Sequence, residues 1–317
     1  MAGVGIENNS KLDGILTEYN AKYSDVFSRG LMTTYQHFCD DVTTDKETYE
    51  YVFYMNWPTL QAWSGNRQFK ALTAQSASVT LETWEKSFEI DWVRYISDPA
   101  GMAKLIDGAL AQVAAELDKL VYDKLLAATG TTGYDGTAYF SASHTVGAGT
   151  VGNYSTDSFT EAAVRAQILA MKLIKDDKAE PIGIEPNILV VGPRHMHKAK
   201  EIFNAEVRFV GLSASGVEAT TSVLAATTIP NVWIGEVTVV ESKRLAGAST
   251  QYHWFLFDTT KADKPIALVQ HSGAPLTPTN NKDEFMGTAP HFKLGTTGVM
   301  NVSFGPWQLS YGSFATS

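Results

Sequence analysis

The chain predicts an α+β fold, and three observations carry that prediction. One very long amphipathic stretch occupies residues 98–130. Alternating, aromatic-rich strand patterns precede it. A helix–strand–helix unit and a Val/Thr-rich, β-forming half follow it. With 317 residues, 44% hydrophobic and 19% charged, the chain reads as ordered and globular, and it is long enough for one large domain or two ordinary ones.

The long stretch is DPAGMAKLIDGALAQVAAELDKLVYDKLLAATG. Asp98 suits a helix N-cap and Pro99 the first helical turn, where its missing N–H has no partner to lose. Met102, Ile106, Leu110, Val113, Leu117, Leu120, Val121 and Leu125 recur at three- to four-residue steps and make one apolar stripe. Lys104, Asp107, Glu116, Lys119 and Asp123 fall mostly on the other side, and Gly130 stops the helix. The expected length is roughly 45 Å. No heptad seam continues beyond it, so it is a single strut and not a coiled coil.

Residues 1–30 carry few large apolar side chains. Leu12, Ile15, Leu16, Tyr19 and Phe27 allow a weak amphipathic helix, and the segment reads as an arm ordered against something else. Residues 46–96 hold Trp57, Trp63, Trp84 and Trp92 among many other aromatics. They read as a strand, a polar middle with Pro58 and Gly65, and a second strand alternating through Val79, Leu81, Phe88, Ile90 and Trp92. Such a hairpin either finds a partner surface or packs on its own domain.

Residues 130–155 form a Gly/Ser/Thr-rich loop, with Tyr134-Asp135-Gly136 as a turn. Ser158 and Glu161 match a capping box, and Val164, Ile168 and Met171 continue an amphipathic helix to about Lys175. Ile188–Val191 reads as a buried strand that turns through Gly192-Pro193 into the helix PRHMHKAKEIFNAE. VWIGEVTVVES, YHWFLFDTT and PIALVQH read as strands. Near the end, Phe292, Leu294, Val299, Asn301, Ser303 and Trp307 suggest two strands joined near Gly295–Gly298.

Convergent chemistry is sparse. The net charge of −9, with basic residues scattered, argues against tight nucleic-acid binding. The single cysteine, Cys39, excludes an internal disulfide framework and fits synthesis in a cytosol. No apolar run is long enough for a signal peptide or a membrane span. His197 and Glu201 share a helix face at i, i+4 while His195 does not, and no zinc-protease motif is present, so a solvated face is expected. The glycines of 130–155 lack the Lys-Ser/Thr of a P-loop and the strand of a dinucleotide fingerprint. Ser143 and His144 lie in that loop without a nucleophile elbow. No catalytic, cofactor-binding or metal-ligating residue is assigned.

Four stretches nonetheless resemble one family. WPTLQAWSGNRQFKALTAQSASVTLETWEKSFEIDWVRYISD, YDGTAYFSASHTVG after the long helix, EPNILVVGPRHMHKAKEIF, and EFMGTAPHFKLGTTGVMNVSFGPWQLSYGS resemble, in order, segments of phage Mu-type major head subunits. The likeness runs from about residue 30 to the C-terminus. It implies the Hong Kong 97-like capsid fold: an N-terminal arm, an extended β-hairpin loop, a long spine helix in a peripheral domain, and an axial α/β domain. Mapped onto this chain, residues 1–40 are the arm and 46–96 the extended loop with its flanking strands. Residues 97–189, completed by 286–317, are the peripheral domain, and 190–285 the axial domain. Trp57, Trp63, Arg67, Phe69 and Lys70 then lie on the loop as inter-subunit contact candidates.

The resemblance implies a structural protein, not an enzyme. It would form hexamers and pentamers of an icosahedral shell around the double-stranded DNA of a tailed bacteriophage, with no cofactor and no membrane. Its place is the virion, after synthesis in the bacterial host cytoplasm. The absence of a long, charged helical N-terminal extension implies either a separate scaffolding protein or a precursor segment missing from this sequence. A portal and decoration proteins are further implied partners. No self-crosslinking pair is recognisable, although Lys70 lies on the loop. The alternatives are an encapsulin-type nanocompartment shell and a hydrolase using Ser143 and His144.

Overall fold

The computed structural model describes residues 17, 21, 33–54, 62–63, 65, 74–91, 97–147, 149–176, 180–210, 227–274, 277–280 and 291–316. In chain order the elements are β1 (Cys39–Thr44), β2 (Thr48–Phe53), β3 (Gln75–Thr80), β4 (Glu82–Asp91), helix α1 (Pro99–Leu126), β5 (His144–Val146), β6 (Gly149–Val151), β7 (Tyr154–Ser155), α2 (Glu161–Lys172), β8 (Ile188–Val191), α3 (Pro193–Phe203), β9 (Val207–Val210), β10 (Thr227–Pro230), β11 (Thr238–Glu241), β12 (Trp254–Phe257), β13 (Ile266–His271), β14 (Thr277–Asn280), β15 (His291–Phe304) and β16 (Ser310–Ser313). They fall into two compact units. The first is Met1–Val52, Gln75–Ala128 and Ile266–Gly305; the second is Phe53–Ala74, Thr129–Pro265 and Pro306–Ser317. The expected peripheral stretch 97–189 is divided between them at Ala128–Thr129, and the expected axial stretch 190–285 at Pro265–Ile266.

The first unit is built on β15. This strand pairs antiparallel with β13, β14 and β4, and β1 adds in parallel on the far side of β13. β15 is one 14-residue strand, where the sequence suggested two joined near Gly295–Gly298. The glycine serves close packing and not a turn: a Cβ at 295 would lie 2.8 Å from Ser87 Oγ and 2.9 Å from the Lys86 carbonyl oxygen. Asn301 ties β15 laterally, its Nδ2 donating to the Thr80 carbonyl at 2.8 Å and to Glu82 Oε1 at 3.2 Å.

Helix α1 starts at Pro99, as the sequence indicates, and its 28 residues span roughly 42 Å. Leu117, Leu120, Val121 and Leu125 of the expected stripe are buried, while Lys104, Asp107, Lys119 and Asp123 stay exposed. Tyr122 and Asp118, which the stripe does not include, are buried as well. The side chains of Met102, Ile106, Leu110 and Val113 lie outside those described. β2 and β3 make a separate two-stranded sheet with a half-exposed alternating pattern. Apart from Thr17 and Ala21, both helical, the arm up to residue 32 lies outside the described residues.

The second unit has a five-stranded sheet ordered β11-β8-β12-β16-β7, in which β8 and β12 are buried along their whole length. β8 turns into α3 through Gly192, whose absent side chain leaves room for Leu245: a Cβ there would sit 2.2 Å from the Leu245 carbonyl oxygen. Helix α2 buries Val164, Ile168 and Met171, as their spacing indicates. Its cap differs from the expectation. Thr160 and not Ser158 is the N-cap, accepting a hydrogen bond from the Ala163 N–H at 3.1 Å, and the helix ends at Lys172. The Gly/Ser/Thr loop is not wholly irregular, since β5 and β6 form a short hairpin within it.

Candidate functional site

The loop of residues 130–155 carries Ser143 and His144. Adjacent residues entering a strand project to opposite sides. Ser143 is therefore exposed and His144 is fully buried at the start of β5. His144 Nδ1 lies 2.6 Å from Asp135 Oδ2, its Nε2 lies 3.1 Å from Asn153 Oδ1, and its ring stacks on Trp307 at 3.9 Å between centroids. Asn153 is pinned in turn. Its Nδ2 donates to the carbonyls of Tyr139 and Trp307, and its Oδ1 accepts the Ser141 N–H at 2.9 Å. Both ring nitrogens are thus occupied and shielded from solvent, and neither faces the Ser143 hydroxyl. The Ser143/His144 hydrolase alternative has no geometry to work with. The cluster is a buttress holding the 130–155 loop against Trp307.

The sequence marked neither Asp135, except as part of a turn, nor Asn153 for this role. The one available signal was a general one: a histidine that ends buried requires polar partners. Tyr134-Asp135-Gly136 is a turn as expected, with Gly136 at φ +79° and the Thr137 N–H donated to Asp135 Oδ1 at 3.1 Å.

On α3, His197 and Glu201 lie on the exposed face that the sequence indicated. His195 is half-buried between Phe159 and Tyr252, and burial, then the nearby Lys198 and Arg194 charges, holds its imidazole below the ordinary histidine range. Among the described residues, no group of three or more His, Cys, Asp or Glu side chains could hold a metal ion. No helix among them is long and apolar enough to cross a membrane.

What the surface offers instead is contact area. Trp63 is 72% exposed. Trp57, Arg67, Phe69 and Lys70 lie outside the described residues, so of the five loop candidates only Trp63 is placed. Val52 and Tyr54, at the end of β2 and just beyond it, are exposed as well. Within the first unit, Trp84, Lys86, Glu116, Leu120, Lys124 and Met300 line a groove of about 380 Å³ along α1. There Trp84 Nε1 donates to the Met300 carbonyl at 3.0 Å, Lys124 Nζ lies 5.9 Å above the Trp84 ring, and Lys86 pairs with Glu116 at 2.7 Å. Large exposed apolar side chains mark interaction surfaces more than chemical sites.

The comparisons with known proteins agree with that character. The family described as Mu-like prophage major head subunit gpT matches residues 12–158, 151–228 and 233–316. The Mu-like prophage FluMu major head subunit of Haemophilus influenzae is 32% identical over 107 residues, which cover 33% of this chain. That match spans 34%, about a third, of the length of the curated relative. Among solved structures, the capsid of bacteriophage JBD30 aligns at a TM-score of 0.52 and 16% identity, over 67% of this chain and 90% of that one. The mature capsid of bacteriophage PhiM1 aligns at 0.55 and 13%, over 90% and 88%. A virus-like particle from Pyrococcus furiosus aligns at 0.51 and 10%, over 94% and 98%. These structural likenesses establish the capsid fold expected from the sequence.

Proposed function

Because the chain belongs to the Mu-like prophage major head subunit family, we propose that it assembles, as hexamers and pentamers, into the icosahedral head shell that encloses the double-stranded DNA of a tailed bacteriophage. The observation that carries this reading is the family match from residue 12 to residue 316, on a chain with the fold of phage capsids. Head subunits are structural proteins and not enzymes. The buried, fully engaged His144 fits that role.

Physical chemistry supports the same reading. A shell closes through many modest interfaces related by symmetry, each weak enough to correct errors, and gains its strength by multivalency. Residues 1–40 serve as an arm and 46–96 as an extended loop whose tip, with Trp57, Trp63, Arg67, Phe69 and Lys70, reaches a neighbouring subunit. A net charge of −9 keeps the wall from gripping DNA, so the genome is enclosed without specific binding. A separate scaffolding protein, a portal and decoration proteins complete the particle, which is put together in the host cytoplasm.

Electron microscopy of the protein produced alone and with the scaffold gene tests this. Closed shells, or rings of five and six subunits, are the expected result. A small monodisperse species under every condition would overturn it.

A further inference from the structure

Nine large apolar side chains are exposed among the described residues, and four of them gather in one place: Leu169, Leu173, Val232 and Ile234. Leu169 sits on α2, and Leu173 is its C-cap. Val232 and Ile234 belong to the loop between β10 and β11. Two contacts lay that loop along the helix. The Arg165 guanidinium stacks 5.0 Å over the Trp233 ring, and Lys172 Nζ lies 4.0 Å from Glu236 Oε2. Arg165, Leu169 and Lys172/Leu173 follow one another at helical spacing on one face, so Leu169 lies between the two contacts.

The loop is not a loose tip. Buried Asn231 donates through Nδ2 to the carbonyls of Ile202 and Ala205 at 2.8 and 2.9 Å, and its Oδ1 accepts the Trp233 N–H at 3.1 Å. Gly235, at φ +76°, turns the chain so that its N–H reaches the Phe203 carbonyl at 3.3 Å. Trp233 packs edge-on against Phe203. The loop is thus clamped to the end of α3, yet Val232 is held outward at 79% exposure. A fold that fixes an aliphatic side chain in water on both sides of an anchored tryptophan is presenting a surface.

We infer that this patch, the α2 face with the 231–236 loop, is a contact between successive copies of this chain around a ring. The inference rests on the shell reading above and names where one of its interfaces lies. Three features select a second copy. The patch presents four aliphatic side chains at 51–79% exposure, far fewer than the roughly 20–30 residues a side of a standard stable interface. It is too small to hold a free dimer and suited to a contact repeated around a closed ring. Its charges balance within the patch, Arg165 and Lys172 against Glu161 and Glu236. Two copies of a chain carrying −9 can therefore meet here without the repulsion their net charge imposes elsewhere. Both cations are already engaged, which leaves no basic face for a membrane's anionic headgroups.

The test uses the full chain with a photo-crosslinking amino acid at Leu173, irradiated after assembly. A ladder of covalent dimers and larger species up to pentamers and hexamers is expected. In parallel, the double variant Leu173→Glu, Val232→Glu is expected to keep the wild-type circular dichroism and denaturation midpoint, because both positions are exposed, while the yield of closed shells falls at least about tenfold. Shells that form normally from the charged variant, or irradiated shells that yield only monomer, overturn this assignment and leave the shell reading standing. A wild-type chain that never assembles overturns the shell reading, and this inference with it.

Discussion

Thr34 donates its backbone N–H to Asp118 Oδ1 at 2.7 Å, and its hydroxyl sits 3.0 Å from the same oxygen, across 84 positions of chain. Tyr35 adds a second backbone N–H at 3.1 Å. One buried carboxylate on α1 thus caps the short 3-10 turn at Tyr35–His37. Asp118→Ala leaves two N–H groups without their acceptor and should cost about 2–4 kcal/mol. The check is the denaturation midpoint. A midpoint equal to wild type would show that the turn finds other partners.

Asn153 anchors the 130–155 loop from inside, with two donated bonds and two acceptor contacts at 1% exposure. Asn153→Ala removes the side-chain acceptor of the Ser141 N–H, a donor to the Tyr139 carbonyl and one partner of His144. The expected loss is about 3 kcal/mol. Loss of near-ultraviolet ellipticity from Trp307, which stacks on His144, should accompany it. An unchanged signal would mean that the loop is held elsewhere.

Two glycines should respond in opposite directions. Gly108 lies within α1 with nothing within 4 Å of a Cβ, so Gly108→Ala gains about 0.5–1 kcal/mol by helix propensity. Gly295→Ala pushes a Cβ into the Lys86–Ser87 backbone and costs about 1–3 kcal/mol. Chemical denaturation of both variants decides. Destabilisation by the first, or tolerance of the second, contradicts the local packing described.

Acid should weaken the fold through two histidines. Burial holds the imidazoles of His195 and His253 below the ordinary histidine value, and His195 Nε2 and His253 Nδ1 are buried without partners. The unfolded imidazoles take up protons near pH 6.5 and the folded ones only at lower pH, so the unfolded state binds more protons in between. This contribution is therefore fully present above about pH 6.5 and is lost as the pH falls from there through the folded values. His253→Phe should flatten the fall in denaturation midpoint between pH 7 and pH 5. An identical pH slope in that variant would remove His253 from the account.

Trp63 should matter to assembly and not to folding. At 72% exposure it gives the subunit little. Trp63→Ala should leave stability within about 0.5 kcal/mol while lowering shell yield. A folding defect with normal assembly would reverse the assignment.

The parts of this architecture that the sequence displayed were those with a strong period. Leu117, Leu120, Val121 and Leu125 announced α1, Ile188–Val191 announced a strand buried on both faces, and Val164, Ile168 and Met171 announced α2. Most misjudged features turned on partners distant in sequence. Gly295 looked like a breaker because its neighbours Lys86 and Ser87 arrive from another strand. Ser158 fitted a capping box, and only the backbone path makes Thr160 the N-cap instead. Asp135, Asn153 and Trp307 converge on His144 across more than 150 positions, and no local pattern encodes that meeting. Leu169, Leu173, Val232 and Ile234 read as ordinary apolar residues until their burial could be seen.

The sheet around β15 also sets a timetable. His291 pairs with Asp91, 200 positions earlier, and Ile266 with Cys39. During synthesis β1 and β4 leave the ribosome long before either partner exists, and at ~5–20 residues per second the wait is about 10–40 s. The first unit cannot complete its sheet until nearly all of the described chain has emerged. A half-made subunit therefore has no finished first unit to offer its neighbours, and on the shell reading proposed above the wall would grow only from molecules whose translation is almost complete.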